Sequence, residues 1–212
     1  MAYNRFPITN VEGDLVAQYR DTDEKLYASL ELNQVAFPKT GMVVSQTPLG
    51  TAFTKAAPCE NGMWVVADKA AGAINPPAAA TDAPIGIVYT TEKEYDMMHY
   101  GLQRFGRKIA GDYPRVGILG VGDTVTTNCL QYSTSVFAND AALLEALKKD
   151  LSVAANALYV VPGNASDAAA SSAKAVPAIV KAIPGSGIYG KIVKFYTIPN
   201  GGLGVKYQII RV

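Results

Sequence analysis

Few residues in this chain have the types and spacing that do chemistry. Gly185-Ser186-Gly187-Ile188-Tyr189-Gly190 carries the glycine spacing of a dinucleotide-binding turn. That chemistry needs a helix beginning in the glycines, so that its first amides meet the pyrophosphate, and an acid about 20 residues further on for the ribose. Here Lys191 to Ile198 is β-branched and aromatic, and no acid follows Asp167. A glycine-rich turn is therefore expected, and no cofactor. Glu92, Glu94, Asp96 and His99 offer oxygen and nitrogen ligands. On a strand alternate residues share a face, so the three carboxylates could project together toward a hard cation. A solvent-facing acidic stripe with Lys93 turned the other way explains the same residues, and no metal is assigned. Asp21, Asp23 and Glu24 lack the glycine and distal glutamate of a calcium loop.

Covalent catalysis finds no foothold either. There is no Gly-x-Ser-x-Gly, and His99 is the single histidine, which leaves little room for a general base. Cys59 and Cys129 lie 70 residues apart with no CxxC, too few ligands for a Cys/His zinc site. The expectation is a protein without catalytic residues. Met1 to Pro7 lacks the apolar run of a signal peptide, and no stretch of about 18 apolar residues could span a bilayer. Synthesis in a reducing cytoplasm is expected, with both thiols free and buried. Asn164-Ala165-Ser166 matches a glycosylation sequon, which carries no meaning without secretion.

Binding chemistry is better represented. Tyr95, Tyr100, Arg104, Phe105 and Tyr113 fall in one glycine-bearing segment, and tyrosine and arginine anchor interfaces because each joins contact area to a polar end. Ordinary half-buried strand positions remain the alternative. The net charge of +1 hides a division. Residues 1–167 hold all 18 acids against 13 bases, a net of −5, whereas residues 168–212 hold six bases and no acid. Those six, Lys174, Lys181, Lys191, Lys194, Lys206 and Arg211, are too dispersed for a nucleic-acid reader. They suit a solvated face or docking on an acidic protein surface, for which Lys191, Lys194 and Lys206 are the candidates. Charged residues make up only 17% of the chain, below the roughly 25% usual for soluble domains, which fits a surface partly covered by a partner.

The elements that must position these residues are mainly strands. Gly41-Met42-Val43-Val44 is echoed by Gly62-Met63-Trp64-Val65-Val66-Ala67-Asp68, by Pro84-Ile85-Gly86-Ile87-Val88-Tyr89-Thr90, and by Arg115 to Thr127. Each is a short β-branched run bounded by glycine or proline, the pattern of strands joined by tight turns. Apolar residues on both pleat faces around Trp64 predict a strand covered from both sides. Between Asp68 and Pro84, a glycine and paired prolines exclude a helix and predict an extended surface loop. One helix is expected near 140–151, capped by Asn139 or Asp140, with Leu143, Leu144, Leu147 and Leu151 on one face and Lys148 and Lys149 at its dipole end. Ala154 to Val161 reads as strand, and residues 165–182 as loop or marginal helix. Lys191 to Ile198 and Leu203 to Val212, joined by Pro199-Asn200-Gly201-Gly202, form the clearest hairpin. Residues 1–36, acidic and weakly periodic, read as an extended N-terminal arm. The fold class is mainly β: a small β-barrel or β-sandwich over residues 37–212, with a helix-containing insertion at about 139–183.

The order of these phrases resembles the capsid decoration proteins of tailed bacteriophages, also called cement or head-fibre proteins. The resemblance covers about residues 38–130 and is carried by the Gly62 to Asp68 strand, the Ala-Pro loop, the Pro84 to Thr90 strand, and Val116 to Gly120 with Gly122 to Val125. It implies a small β-barrel or sandwich that binds the major capsid protein on the outside of an assembled shell and stabilises it. It also implies a homo-oligomer, often a trimer, located on the virion exterior, with no nucleic-acid or membrane partner and no catalytic residues. The alternatives are a glycan-hydrolysing enzyme with paired carboxylates and a glycan-binding domain of a phage tail or adhesion protein.

Overall fold

The computed structural model describes residues 3–5, 30–34, 43–44, 46–67, 70–79, 81–82, 84–89, 107–163, 174–197 and 203–212. Among them the chain is mainly β. In order come β1 (Tyr3–Arg5), β2 (Leu30–Gln34), β3 (Val43–Val44), β4 (Cys59–Glu60), β5 (Trp64–Val66), β6 (Ile85–Val88), β7 (Arg107–Lys108), β8 (Val116–Ile118), β9 (Thr124–Thr127) and β10 (Gln131–Ser133). Among the described residues one α-helix, α1 (Asp140–Leu147), precedes β11 (Tyr159–Val161), β12 (Ala178–Val180), β13 (Tyr189–Thr197) and β14 (Leu203–Arg211). Eight strands pair in the order β1-β10-β12-β11-β13-β14-β9-β2, four in the order β3-β8-β6-β5, and β4 pairs with β7.

The arrangement is sandwich-like, and no closed barrel forms among the described residues. Trp64, Ile85 and Ile87 of the smaller sheet share one buried cluster with Val125, Tyr132, Val160, Ile192, Val205 and Tyr207 of the larger one. Leu143 and Leu147 of α1 join the same cluster. On the opposite face of the smaller sheet Val44, Val65, Val88, Val116 and Ile118 pack with Phe53, Ile74, Cys59 and Cys129. The pleat explains the division, because Trp64 and Val65 are consecutive and point to opposite faces. Both are fully buried, so β5 is covered on both sides as its composition predicts.

The two N-terminal strands sit at opposite edges of the larger sheet. β1 pairs with β10 through Tyr3↔Ser133 and Arg5↔Gln131, and β2 with β9 through Leu30↔Thr127 and Leu32↔Val125. The segment expected as an insertion contributes α1 beside the sheet and β11 and β12 within it.

Three expectations need correction. The helix stops at Leu147, four residues short of Leu151. Asn139 caps its start, Oδ1 accepting from the Ala142 amide at 2.9 Å, and Lys148 closes it with its own amide turned to Leu144. Beyond that the Asp150 carboxylate accepts from both the amide and the hydroxyl of Ser152, a local turn that competes with another helical turn and holds this carboxyl below its ordinary range. Leu151 still reaches the core, but from the turn. The segment from Ala154 is a short 3-10 turn (Ala154–Asn156) before the strand begins at Tyr159. The Asp68 to Pro84 loop does more than cover surface: Ile74 is fully buried, and Asn75 exchanges backbone hydrogen bonds with Val66 at the edge of β5.

Candidate functional site

The C-terminal hairpin is where the structure gathers sequence-predicted residues. β-Branched and aromatic side chains favour the strand, and Ile192, Val205, Tyr207 and Ile209 alternate into the core. Ile192 pairs with Tyr207 on that inner face. Lys191 pairs with Gln208, and Lys194 with Lys206, on the outer face. In a regular strand residues 191 and 194 would project to opposite sides. The register shifts between Ile192 and Lys194, and this bulge turns both lysines outward, with Val193 exposed between them. Lys194 is exposed, and Lys191 and Lys206 are half-exposed.

Lys191 lies in register with Tyr159 of β11, and Lys206 with Thr126 of β9, which is fully buried. The direct Lys194↔Lys206 opposition places like charges on adjacent strands, an arrangement that destabilises a sheet by itself. The three lysines thus form one basic outer face on a rigid hairpin whose other side is core.

Arg211 and Lys181 of the same tail have other work. Arg211 donates from Nε to the Gly187 carbonyl at 2.7 Å and from Nη2 to the Pro184 carbonyl at 2.9 Å. Its guanidinium lies 4.9 Å from the centre of the Tyr189 ring, which packs edge-on against Tyr159. The GxGxxG spacing is therefore a loop held by its carbonyls, and its last residues enter β13 rather than a helix. A phosphate loop would have to present amides, and this one presents carbonyls to a cation. Lys181 donates to the Val136 carbonyl at 3.0 Å. The sequence contained no signal for these hydrogen bonds, whose partners lie between 24 and 45 residues apart.

Tyr95, Tyr100, Arg104 and Phe105 lie outside the described residues, as do Glu92, Glu94, Asp96 and His99. Among the described residues no group of three or more His, Cys, Asp or Glu side chains is placed to hold a metal ion. Cys59 and Cys129 are both free and buried, and burial, reinforced by the nearby Cys129, pushes the Cys59 thiol well above its ordinary range. Thiolate is the reactive form, so burial and this upward shift both disfavour reaction at Cys59. No helix among the described residues is long and apolar enough to cross a membrane. Comparison with known proteins finds no matching family model, no similar curated protein and no similar solved structure.

Proposed function

We propose that this protein is a non-enzymatic structural component of a virion, which binds the outer surface of an assembled capsid and stabilises it. The observation that carries the reading is the outer face of the β13–β14 hairpin, where a bulge brings Lys191 and Lys194 beside Lys206. An acidic patch on a major capsid protein would complement the charge of these three lysines. A covered sheet behind the face keeps it rigid, which lowers the ordering cost of docking. Homo-oligomers, trimers among them, present several such faces at once, and weak single contacts on a symmetric lattice then add up through avidity.

Purified protein added to shells assembled without it should bind saturably and raise the temperature at which the shells rupture. Triple charge reversal at Lys191, Lys194 and Lys206 should weaken binding while the protein stays folded. Electron microscopy of decorated shells should place the chain on their exterior. Saturating addition with neither binding nor stabilisation overturns the reading.

A further inference from the structure

Where α1 meets the turn after β10 and the 3-10 turn Ala154–Asn156, the surface opens into a cleft of about 410 Å³. That volume is in the range of small-molecule sites, which run from roughly 300 to 1,000 Å³. Ala142 and Ala146 of α1, Ala157 and the buried Phe137 give it an apolar wall, and Asn156 adds a polar side chain to the lining. Two cationic side chains line it, Lys149 and Lys181, against one carboxylate, Glu145. Glu145 accepts from Lys148 at 3.0 Å, so a cation of its own helix already offsets that charge.

Lys181 is held in place. Its ammonium donates to the Val136 carbonyl at 3.0 Å and stands 4.7 Å from the centre of the Phe137 ring. An ammonium carries three N–H donors, and a single one of them accounts for the carbonyl contact. An exposed cation oriented beside an apolar wall matches an amphipathic anion: the charge meets the ammonium and the hydrocarbon covers the alanine methyls. An organic cation would meet two lysines.

We propose that this cleft binds a small organic anion, a carboxylate or sulfonate carried on an apolar body, with the charged group at Lys181. The site is separate from the hairpin lysines, none of which lines it, and it does not depend on capsid binding.

The full-length protein titrated with 1-anilinonaphthalene-8-sulfonate should show a saturable fluorescence rise at one site. Octanoate should displace the dye, and octanol at the same concentration should not. Lys181→Met should weaken dye binding about tenfold, the effect of losing one charged hydrogen bond. Ala142 is solvent-exposed on α1, so Ala142→Trp should fill the cleft mouth and abolish binding with the melting temperature unchanged. A dye that fails to saturate, octanol that competes as well as octanoate, or full binding by a folded Ala142→Trp protein would each overturn the site.

Discussion

The strands around Trp64 and the β13–β14 hairpin are both apolar and β-branched, yet they have opposite relations to their surroundings. β5, β6 and β8 are sealed on both faces: Trp64, Ile85 and Ile87 face one cluster, while Val65, Val116 and Ile118 face the other. The hairpin seals only one face and leaves Lys191, Val193 and Lys194 on the other. The first region serves the core with both faces, whereas the second gives one face to the core and leaves the other for a partner to meet. Substitutions should separate the two properties, and the four expectations below test that separation.

The largest effect belongs to Trp64→Ala. Trp64 is fully buried, packs edge-on against Tyr207 with ring centres 5.9 Å apart, and donates from Nε1 to the Tyr207 hydroxyl at 3.0 Å. Truncation leaves a cavity between the two sheets and should cost about 3–5 kcal/mol in denaturant unfolding. A loss below about 1 kcal/mol would show that the two sheets do not share this core.

Gly62→Ala comes next, because two constraints coincide there. Its φ is +92°, and a Cβ would lie 2.6 Å from the Cys129 Cβ and 2.9 Å from the Thr127 hydroxyl. Backbone strain and overpacking together should cost about 3 kcal/mol. Gly122 has a similar φ of +96° but open space around it, so Gly122→Ala isolates the backbone part at about 1 kcal/mol. Equal losses at the two sites would mean that the close approach to Cys129 has no energetic weight.

Tyr207→Phe probes the same core through its hydrogen bond. It removes the acceptor of the Trp64 indole and should cost about 1–2 kcal/mol at neutral pH. Burial raises the Tyr207 phenol well above its ordinary value near 10, so the stability it supports is complete below about pH 10 and is lost as pH rises further. Cys59, raised by burial as well, adds a similar loss beginning near pH 9. Wild-type unfolding free energy should therefore fall steeply between about pH 10 and 11. Tyr207→Phe should flatten that slope by about one proton, or 1.4 kcal/mol per pH unit. An unchanged slope would show that other groups govern alkaline unfolding.

How much of this was legible in sequence follows from which interactions are local. The strand at Trp64, the strand at Pro84 to Thr90 and the C-terminal hairpin are local patterns of β-branched residues between turn formers, and each recurs as a strand within one or two residues. The cap at Asn139 is equally local, three residues from the amide it accepts. The helix ends earlier than its apolar spacing predicts because Leu151 continues that spacing from within the turn that Asp150 and Ser152 form. Pairing order lies beyond local pattern: nothing in Tyr3 to Arg5 or Leu30 to Gln34 indicates that they edge the same sheet on opposite sides. The candidate face was half legible. Its lysines follow from a tail without acids, but their common side depends on the bulge at Val193, which alternation does not reveal.

The smallest effect is the sharpest test of the hairpin, because stability and binding should move in opposite directions. Lys206 lies opposite Lys194 in the ladder, and like charges in that position repel. Lys206→Glu converts the pair to opposite charges and should raise unfolding free energy by about 0.5 kcal/mol at low salt. At 1 M salt the gain should vanish, since screening shortens the Debye length from about 10 Å at 0.1 M to about 3 Å. The same substitution puts a negative charge on the face proposed to meet an acidic capsid surface, so attachment to shells should weaken while the protein itself becomes more stable. No substitution in the Trp64 core can do this, because any loss there lowers the folded population and the bound population together. A Lys206→Glu protein that is less stable and binds shells as well as wild type would place these lysines in ordinary solvation and remove the hairpin as the binding face.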